Sequence, residues 1–110
     1  MEASNHALYI KEREGKEIVE SEKGFATYYY LNDGCYVQDI FVKNEFRKQN
    51  VAKEMLDEIS NIAKSQGYNK LYGSVVPSTK GSTLSLKLSL EYGFQLDSSI
   101  NNFIVLTKDI

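Results

Sequence analysis

The sequence has one cysteine, one histidine and no tryptophan in 110 residues. With Cys35 alone, no intramolecular disulfide can form, a usage that fits a reducing cytoplasm. With His6 alone, a Ser-His or Cys-His mechanism has a single candidate, close to a terminus. The same scarcity excludes a Cys/His zinc site, so no metal is expected. No apolar run approaches the ~18–20 residues that span a bilayer, and no signal-peptide pattern opens the chain. A strong charge of one sign is missing too. The formal net charge is −2, which gives no basic field for nucleic acid and is compatible with a cationic substrate.

What is present is ordinary globular usage, 42% hydrophobic and 25% charged, which argues against disorder. The length fits one domain over residues 1–110, and a chain of this size buries roughly two thirds of its surface. There is no internal repeat or low-complexity linker. Eight Tyr and five Phe suggest a β-rich core.

Residues 1–6 read as a loose end, Ala7 to Lys11 as a strand and Glu17 to Ser21 as a second strand. "FATYYYL" (25–31) and "CYVQDIFV" (35–42) flank Asn32-Asp33-Gly34, a hairpin signal because these residues tolerate positive φ. From Lys43 the pattern changes. Val51, Met55, Leu56, Ile59, Ile62 and Ala63 give one apolar helical face, and Gly67 stands where a left-handed residue ends a helix. "KLYGSVV" (70–76) and "NNFIVLTKDI" (101–110) read as strands. Between them, "TLSLKLSLEYGF" (83–94) alternates leucines like a strand, whereas leucine favours helix. On a helix its leucines form two stripes, and the "EYGF" ending favours that reading. The expected order is β-β-β-β-α-β-α-β, an α/β (α+β) domain with a mostly antiparallel mixed sheet and two main helices.

The loop "KNEFRKQN" carries Lys43, Arg47 and Lys48, and Lys53 follows in the first helical turn. Positive side chains beside the unpaired N–H groups of a helix start can build a pyrophosphate site, and equally they can be a solvated basic loop.

On these residues the sequence resembles the GCN5-related N-acetyltransferase (GNAT) family. "DIFVKNEFRKQNVAKEML" is similar to the family's motif A: a hydrophobic strand, a short connection, then Arg/Gln-x-x-Gly-x-Gly/Ala opening a helix. "GFATYYYLNDG" with "YVQDIFV" resembles the two preceding strands, closest to the polyamine acetyltransferase branch, and "EYGF" resembles the end of motif B. The resemblance covers about residues 16 to 96. It implies acetyl-CoA as co-substrate, with the pyrophosphate on the backbone of Arg47, Lys48, Gln49, Asn50, Val51 and Ala52 and charge from Arg47, Lys48 and Lys53. It implies that Phe41 and Val42 lie along the pantetheine arm and offer a backbone donor to the thioester oxygen. The strand at 70–76 would splay from its neighbour and open the slot.

The sequence departs from the family pattern at four places. Asn50 replaces a glycine, and asparagine is the substitute that best tolerates a left-handed backbone. Gln38 stands where the polyamine branch has a glutamate base, so Asp39 would act only if the strand carries a bulge. Ser89 and Ser82 occupy the positions of the family's tyrosine acid and frequent asparagine, with Tyr92 nearby as a substitute acid or as packing. Finally, the strand and two helices that precede this region in full-length members are expected to have no room, so the acceptor site is expected to be open or completed by a second subunit.

Two readings follow. One is an acetyltransferase whose acceptor is a polyamine, another small amine or a protein or peptide lysine. The other is a catalytically reduced member that binds CoA or a protein partner. A homodimer through the "NNFIVL" strand is a further expectation, on the premise that this strand is an open edge.

Overall fold

The structure, a computed structural model, describes residues 4–78, 80, 82–100 and 103–110, with Ser82, Thr83, Leu84 and Ile100 as backbone only. The elements are α1 (Asn5–Glu14), β1 (Glu17–Ser21), β2 (Gly24–Leu31), β3 (Gly34–Val42), a short 3-10 turn (Asn44–Phe46), α2 (Val51–Ser65), β4 (Lys70–Val75), α3 (Ser82–Tyr92), β5 (Gln95–Ile100) and β6 (Phe103–Asp109). One sheet runs β1-β2-β3-β4-β6-β5, antiparallel except at β3–β4. The expected class, mixed α/β with a mostly antiparallel sheet, stands. No helix among the described residues is long and apolar enough to cross a membrane.

Two elements differ from expectation. Ala7–Lys11 lies within α1 and is not a strand. The helix is specified by its ends rather than its middle. The Ser4 hydroxyl accepts the Ala7 N–H at 2.9 Å, and Gly15, at φ 67°, closes the last turn with its N–H on the Lys11 carbonyl. Ser4 to His6 therefore begin α1 instead of forming a loose end, and residues 1–3 lie outside the described residues. Of the strand and two helices expected to have no room before this region, one helix, α1, is present among the described residues. The second difference is β5, a strand that the sequence reading missed between "EYGF" and the last strand. Its presence puts β6 inside the sheet, between β4 and β5, so the edge premise of the "NNFIVL" seam fails; Asn101 and Asn102 lie outside the described residues. The open edges are β1 and β5. At β5 the register shifts between Leu96 and Ser98, leaving Asp97 as a bulge, a device that blunts an edge.

The core lies between the sheet and α2. Val51, Met55, Leu56, Ile59 and Ala63 of α2 are buried with Ala26, Tyr28, Cys35, Val37 and Leu71. This is the apolar face read from the helical spacing, with Ile62 half-buried at its margin. α3 is a helix; Leu86 packs partly on the core, whereas Leu88 and Leu90 are each 50% exposed, so Leu90 does not follow Leu86 of its own stripe onto the core. α2 and α3 share one face of the sheet. α1 lies over the other face, where the His6 ring meets Phe25 edge-on. Gly24 has a steric reason to be glycine, since a Cβ there would sit 2.0 Å from the Phe41 carbonyl oxygen of β3.

Candidate active site

The sheet opens between β3 and β4. These parallel strands pair only at Cys35–Leu71 and Tyr36–Tyr72, while β4 remains paired with β6 from Lys70 to Val75. The cause is local. Against β2, the register runs Thr27–Asp39 and then Tyr28–Val37, so Gln38 is an extra residue in β3. A bulge bends its strand and increases its twist, which here turns the end of β3 away from β4. The result is a V-shaped slot whose vertex lies beside Tyr36 and Tyr72. Just past the vertex, the Tyr36 and Ser74 hydroxyls hydrogen-bond across the gap.

The bulge also decides where the carboxylate goes. Asp39 is exposed on the face away from α2, and its Oδ2 accepts from Thr27 Oγ1 at 3.2 Å. Thr27 is itself buried, so Asp39 has a fixed support. Gln38, also exposed, lines a cavity of about 470 Å³ with Glu14, Gly15, Lys16, Tyr29 and Tyr30.

The mouth of the slot faces the start of α2. Asn50 precedes that helix at φ 63° and ψ 20°, the left-handed conformation that the motif's glycine would adopt. Lys48 is left-handed too, at φ 67°, which the sequence did not announce. These are the only non-glycine residues of positive φ among the described residues, and each such conformation costs about 1–2 kcal/mol. A left-handed residue followed by helical ones turns successive N–H groups toward one point, a concavity suited to an anion. The N–H groups of Val51, Ala52 and Lys53 have no acceptor within the helix, and the Asn50 side chain does not cap them.

The edge of β3 supplies backbone donors. The Lys43 N–H bonds the Lys23 carbonyl, on the β2 side. Alternate residues of an antiparallel strand turn their N–H groups to opposite edges. Phe41 therefore faces β2 with its amide, and Val42 and Ile40 turn theirs to the slot. The Val42 carbonyl confirms the direction, since it accepts from Arg47 Nε at 3.1 Å. Arg47 is folded back by this contact and by a 3.3 Å bond from Nη1 to Asn44 Oδ1. Gln49 Nε2 donates to the Glu45 carbonyl at 3.3 Å, and Lys53 Nζ to Asp57 Oδ2 at 3.0 Å. Lys48 is exposed at the mouth.

Two hydroxyls of α3, those of Ser89 and Tyr92, are committed elsewhere. Ser89 donates to the Ser85 carbonyl of its own helix at 2.8 Å. Tyr92 donates to Asp57 Oδ1 of α2 at 2.6 Å, with Lys108 Nζ 5.4 Å from its ring centroid. Burial first, and then the Asp57 carboxylate, push the Tyr92 phenol up to about 12. In return the Tyr92 hydroxyl, then Lys53, holds Asp57 below the usual carboxylate range. Ser82 lies outside the described side chains.

The structure thus gathers Asp39, Val42 and the 47–53 segment around one slot and keeps Ser89 and Tyr92 in contacts of their own. Sequence reasoning missed Thr27, Tyr36 and Ser74. A signal existed, because Tyr29, Tyr36 and Tyr72 each sit one residue off a core position in their strands, but their meeting in one row depends on register.

Comparison with known proteins bears on this geometry. The family model for the acetyltransferase (GNAT) domain matches residues 4–95. No functionally curated protein sequence matches the chain. Solved structures share the fold at low identity. PaiA N-acetyltransferase from Thermoplasma acidophilum, in complex with coenzyme A, aligns with a TM-score of 0.77 at 13% identity, over 96% of this chain and 68% of that one. A GNAT family acetyltransferase from Elizabethkingia anophelis with acetyl-CoA bound gives 0.73 at 20% identity, over 97% and 84%. An aminoglycoside 6′-N-acetyltransferase complexed with coenzyme A gives 0.73 at 12% identity, over 93% and 77%. With most of its length matched and the slot of the fold in place, the chain belongs to the GNAT acetyltransferase family.

Proposed function

We propose that the protein moves an acetyl group from acetyl-CoA to a primary amine by direct attack in a ternary complex. The observation that carries this reading is the splayed β3–β4 pair, opened by the same bulge that turns Asp39 toward the acceptor side. The residues at the mouth suit a pyrophosphate: free N–H groups at Val51, Ala52 and Lys53, the left-handed turn at Asn50, and the cations of Arg47, Lys48 and Lys53. Relatives of this fold solved with coenzyme A or acetyl-CoA support the same assignment.

Acetyl-CoA supplies an activated thioester carbonyl. The chain's own residues do the rest. Val42 N–H, with Ile40 N–H, donates to the carbonyl oxygen as negative charge develops there. Asp39 takes the amine proton, directly or through a water. The amine nitrogen bonds the carbonyl carbon, the carbon–sulfur bond breaks, and the sulfur takes a proton from solvent because Ser89 and Tyr92 donate elsewhere. Gln38, which cannot take a proton at neutral pH, lines the acceptor cavity instead. Positioning the two substrates provides much of the rate. A reducing compartment such as the cytoplasm fits the lone, buried Cys35 thiol. A homodimer through an open sheet edge would use β1 or β5, and sedimentation tests it.

Thermal unfolding with acetyl-CoA and with CoA tests the site. A ligand at 100 times its Kd adds about 2.7 kcal/mol, a visible shift. Arg47→Ala should reduce that shift, and no shift from either ligand would sink the reading. The second reading, a binding protein with reduced chemistry, is favoured by one observation: the Ser89 and Tyr92 hydroxyls are both tied off. A shift without thiol release across an amine panel would select it.

A further inference from the structure

The inner end of the slot is closed by side chains that the proposed transfer does not itself use. Tyr36 pairs with Tyr72 at the vertex, and its hydroxyl reaches forward to the hydroxyl of Ser74, two residues further along β4. Cys35 and Val37, on either side of Tyr36, are buried in the core with α2, so alternation puts Tyr36 on the other face. Tyr36 and Ser74 are both half-buried, and the Tyr36 ring is braced by the Tyr29 ring, 5.2 Å away at 35°. On the α2 face the slot end is filled. Gly73 has no side chain there, and a ring carbon of Phe94 lies 3.9 Å from where a Cβ would stand. Phe94, Val37 and Val75 are all buried. The slot therefore ends in a hydrogen-bonded bar on one face and packed core on the other.

Register gives the distance from this bar to the reacting carbon. Of the two amides that face the slot, Ile40 adjoins Asp39, so a carbonyl held there is within reach of the proposed base, whereas Val42 is three residues beyond Asp39. Ile40 pairs with Ala26 and Tyr36 with Tyr29, and β2 carries no extra residue between them, so the two levels are three residues or about 10 Å apart. Ser74 is two residues past Tyr72, the partner of Tyr36, or about 7 Å. The bar thus stands about 3–4 Å short of the Ile40 amide along the slot. Carbon atoms are in contact at about 3.5–4.0 Å, so this space takes a methyl group and no longer chain. A longer chain turned toward Asp39 instead would stand where the amine has to approach.

We propose that Tyr36 and Ser74 measure the acyl group of the donor and limit transfer to acetyl. The proposal rests on the acetyltransferase reading above, and its test reads binding apart from transfer. CoA, acetyl-CoA, propionyl-CoA and butyryl-CoA are compared by calorimetry, and the three thioesters by thiol release with the amine that turns over fastest with acetyl-CoA. Acetyl-CoA should be used about 10–200-fold more efficiently than propionyl-CoA, and butyryl-CoA should bind more weakly than acetyl-CoA by a similar factor. Tyr36→Leu removes the bar and should raise the butyryl-to-acetyl ratio about tenfold or more in both readouts, with affinity for unacylated CoA unchanged. Ser74→Gly should move the ratio in the same direction, and Tyr36→Phe, which keeps the ring and loses only the tie to Ser74, should move it least. A parent that binds and transfers butyryl-CoA as well as acetyl-CoA would overturn this assignment alone. So would a ratio left unmoved by Tyr36→Leu and Ser74→Gly, and a loss of CoA affinity in a folded variant would give the pair a structural role instead. Discrimination in binding with no thiol release would sink the transfer reading and leave the acyl limit standing. No binding of any of the four ligands would overturn both.

Discussion

The start of α2 and the end of α3 are the two places where this chain departs most from its family's pattern, and they have fared differently. At α2 a glycine has become Asn50, yet the backbone holds φ 63°, with left-handed Lys48 two residues before it. The proposed anion binding there would depend on backbone N–H direction, which another residue can supply at some cost in strain. At α3, Ser89 stands where the resemblance places the family's tyrosine, and its hydroxyl is held differently. The hydroxyl bonds its own helix, and the nearby Tyr92 ties α3 to Asp57 of α2. Proton transfer depends on side-chain identity, and a serine cannot reproduce a phenol. Function carried by backbone shape survives substitution better than function carried by one acidic hydrogen.

The strongest test of this contrast uses Asp39, the carboxylate proposed as the base at the slot. Asp39→Asn keeps the size of the side chain and an acceptor for Thr27 and removes the base. Turnover should fall about 100–10,000-fold with little change in CoA affinity, measured by thiol release and calorimetry. A fall of less than tenfold would assign proton removal to water alone.

Next in size is Tyr92→Phe, which separates packing from chemistry. Removing a bond to a carboxylate costs about 1.5–3 kcal/mol, seen as a lower urea midpoint, while turnover stays near the parent's. A matching loss of turnover would restore Tyr92 as an acid. The pH dependence gives a second readout. The folded phenol is raised from 10.0 to about 12, so the folded state holds its proton more tightly than the unfolded one. That stability is present below about pH 10 and is lost as pH rises toward 12. Cys35, raised from 9.0 to about 12 by burial, acts in the same direction from pH 9 upward. The alkaline loss should be shallower in Tyr92→Phe and shallower again with Cys35→Ala.

The local structure of the proposed binding segment was largely legible from sequence because it is contained within a few residues. The helical spacing of Val51 to Ala63, the Asn-Asp-Gly turn and the Arg-Lys-Gln-Asn loop are each contained within a few residues. What was not legible has two physical sources. Ala7–Lys11 is a short apolar run that reads as a strand, but the Ser4 and Gly15 caps outside that window make it a helix. The bulge at Gln38, the β5 strand and the tyrosine row are matters of register between segments. No local window reports which residue of β3 goes unpaired. The expectation for Asp39 was therefore conditional on a bulge, and the β2–β3 pairing supplies one.

Asn50 tests the backbone side of the contrast. Asn50→Gly keeps the left-handed turn without a Cβ, and CoA affinity and stability should hold or rise. Asn50→Val places a β-branched side chain at φ 63° and should cost about 1–2 kcal/mol of stability together with CoA affinity. Equal CoA binding by both variants would show that the anion is held by side-chain cations rather than by the turned N–H groups.

The smallest expected effect is the most specific. Ser89 holds the family's acid position, but its hydroxyl bonds the Ser85 carbonyl within the helix, a contact that contributes little to helix stability. Ser89→Ala should therefore change stability by less than about 0.5 kcal/mol and leave turnover and its pH profile unchanged. Ser89→Tyr is the informative partner, because it restores a phenol to a half-buried position on α3. If sulfur takes its proton from solvent in this chain, a placed phenol should raise turnover, and the gain should disappear above the phenol's own pKa. A tyrosine that folds there and adds nothing would mean that protonation of the leaving group does not limit the rate, and that Asp39 and positioning carry the chemistry between them.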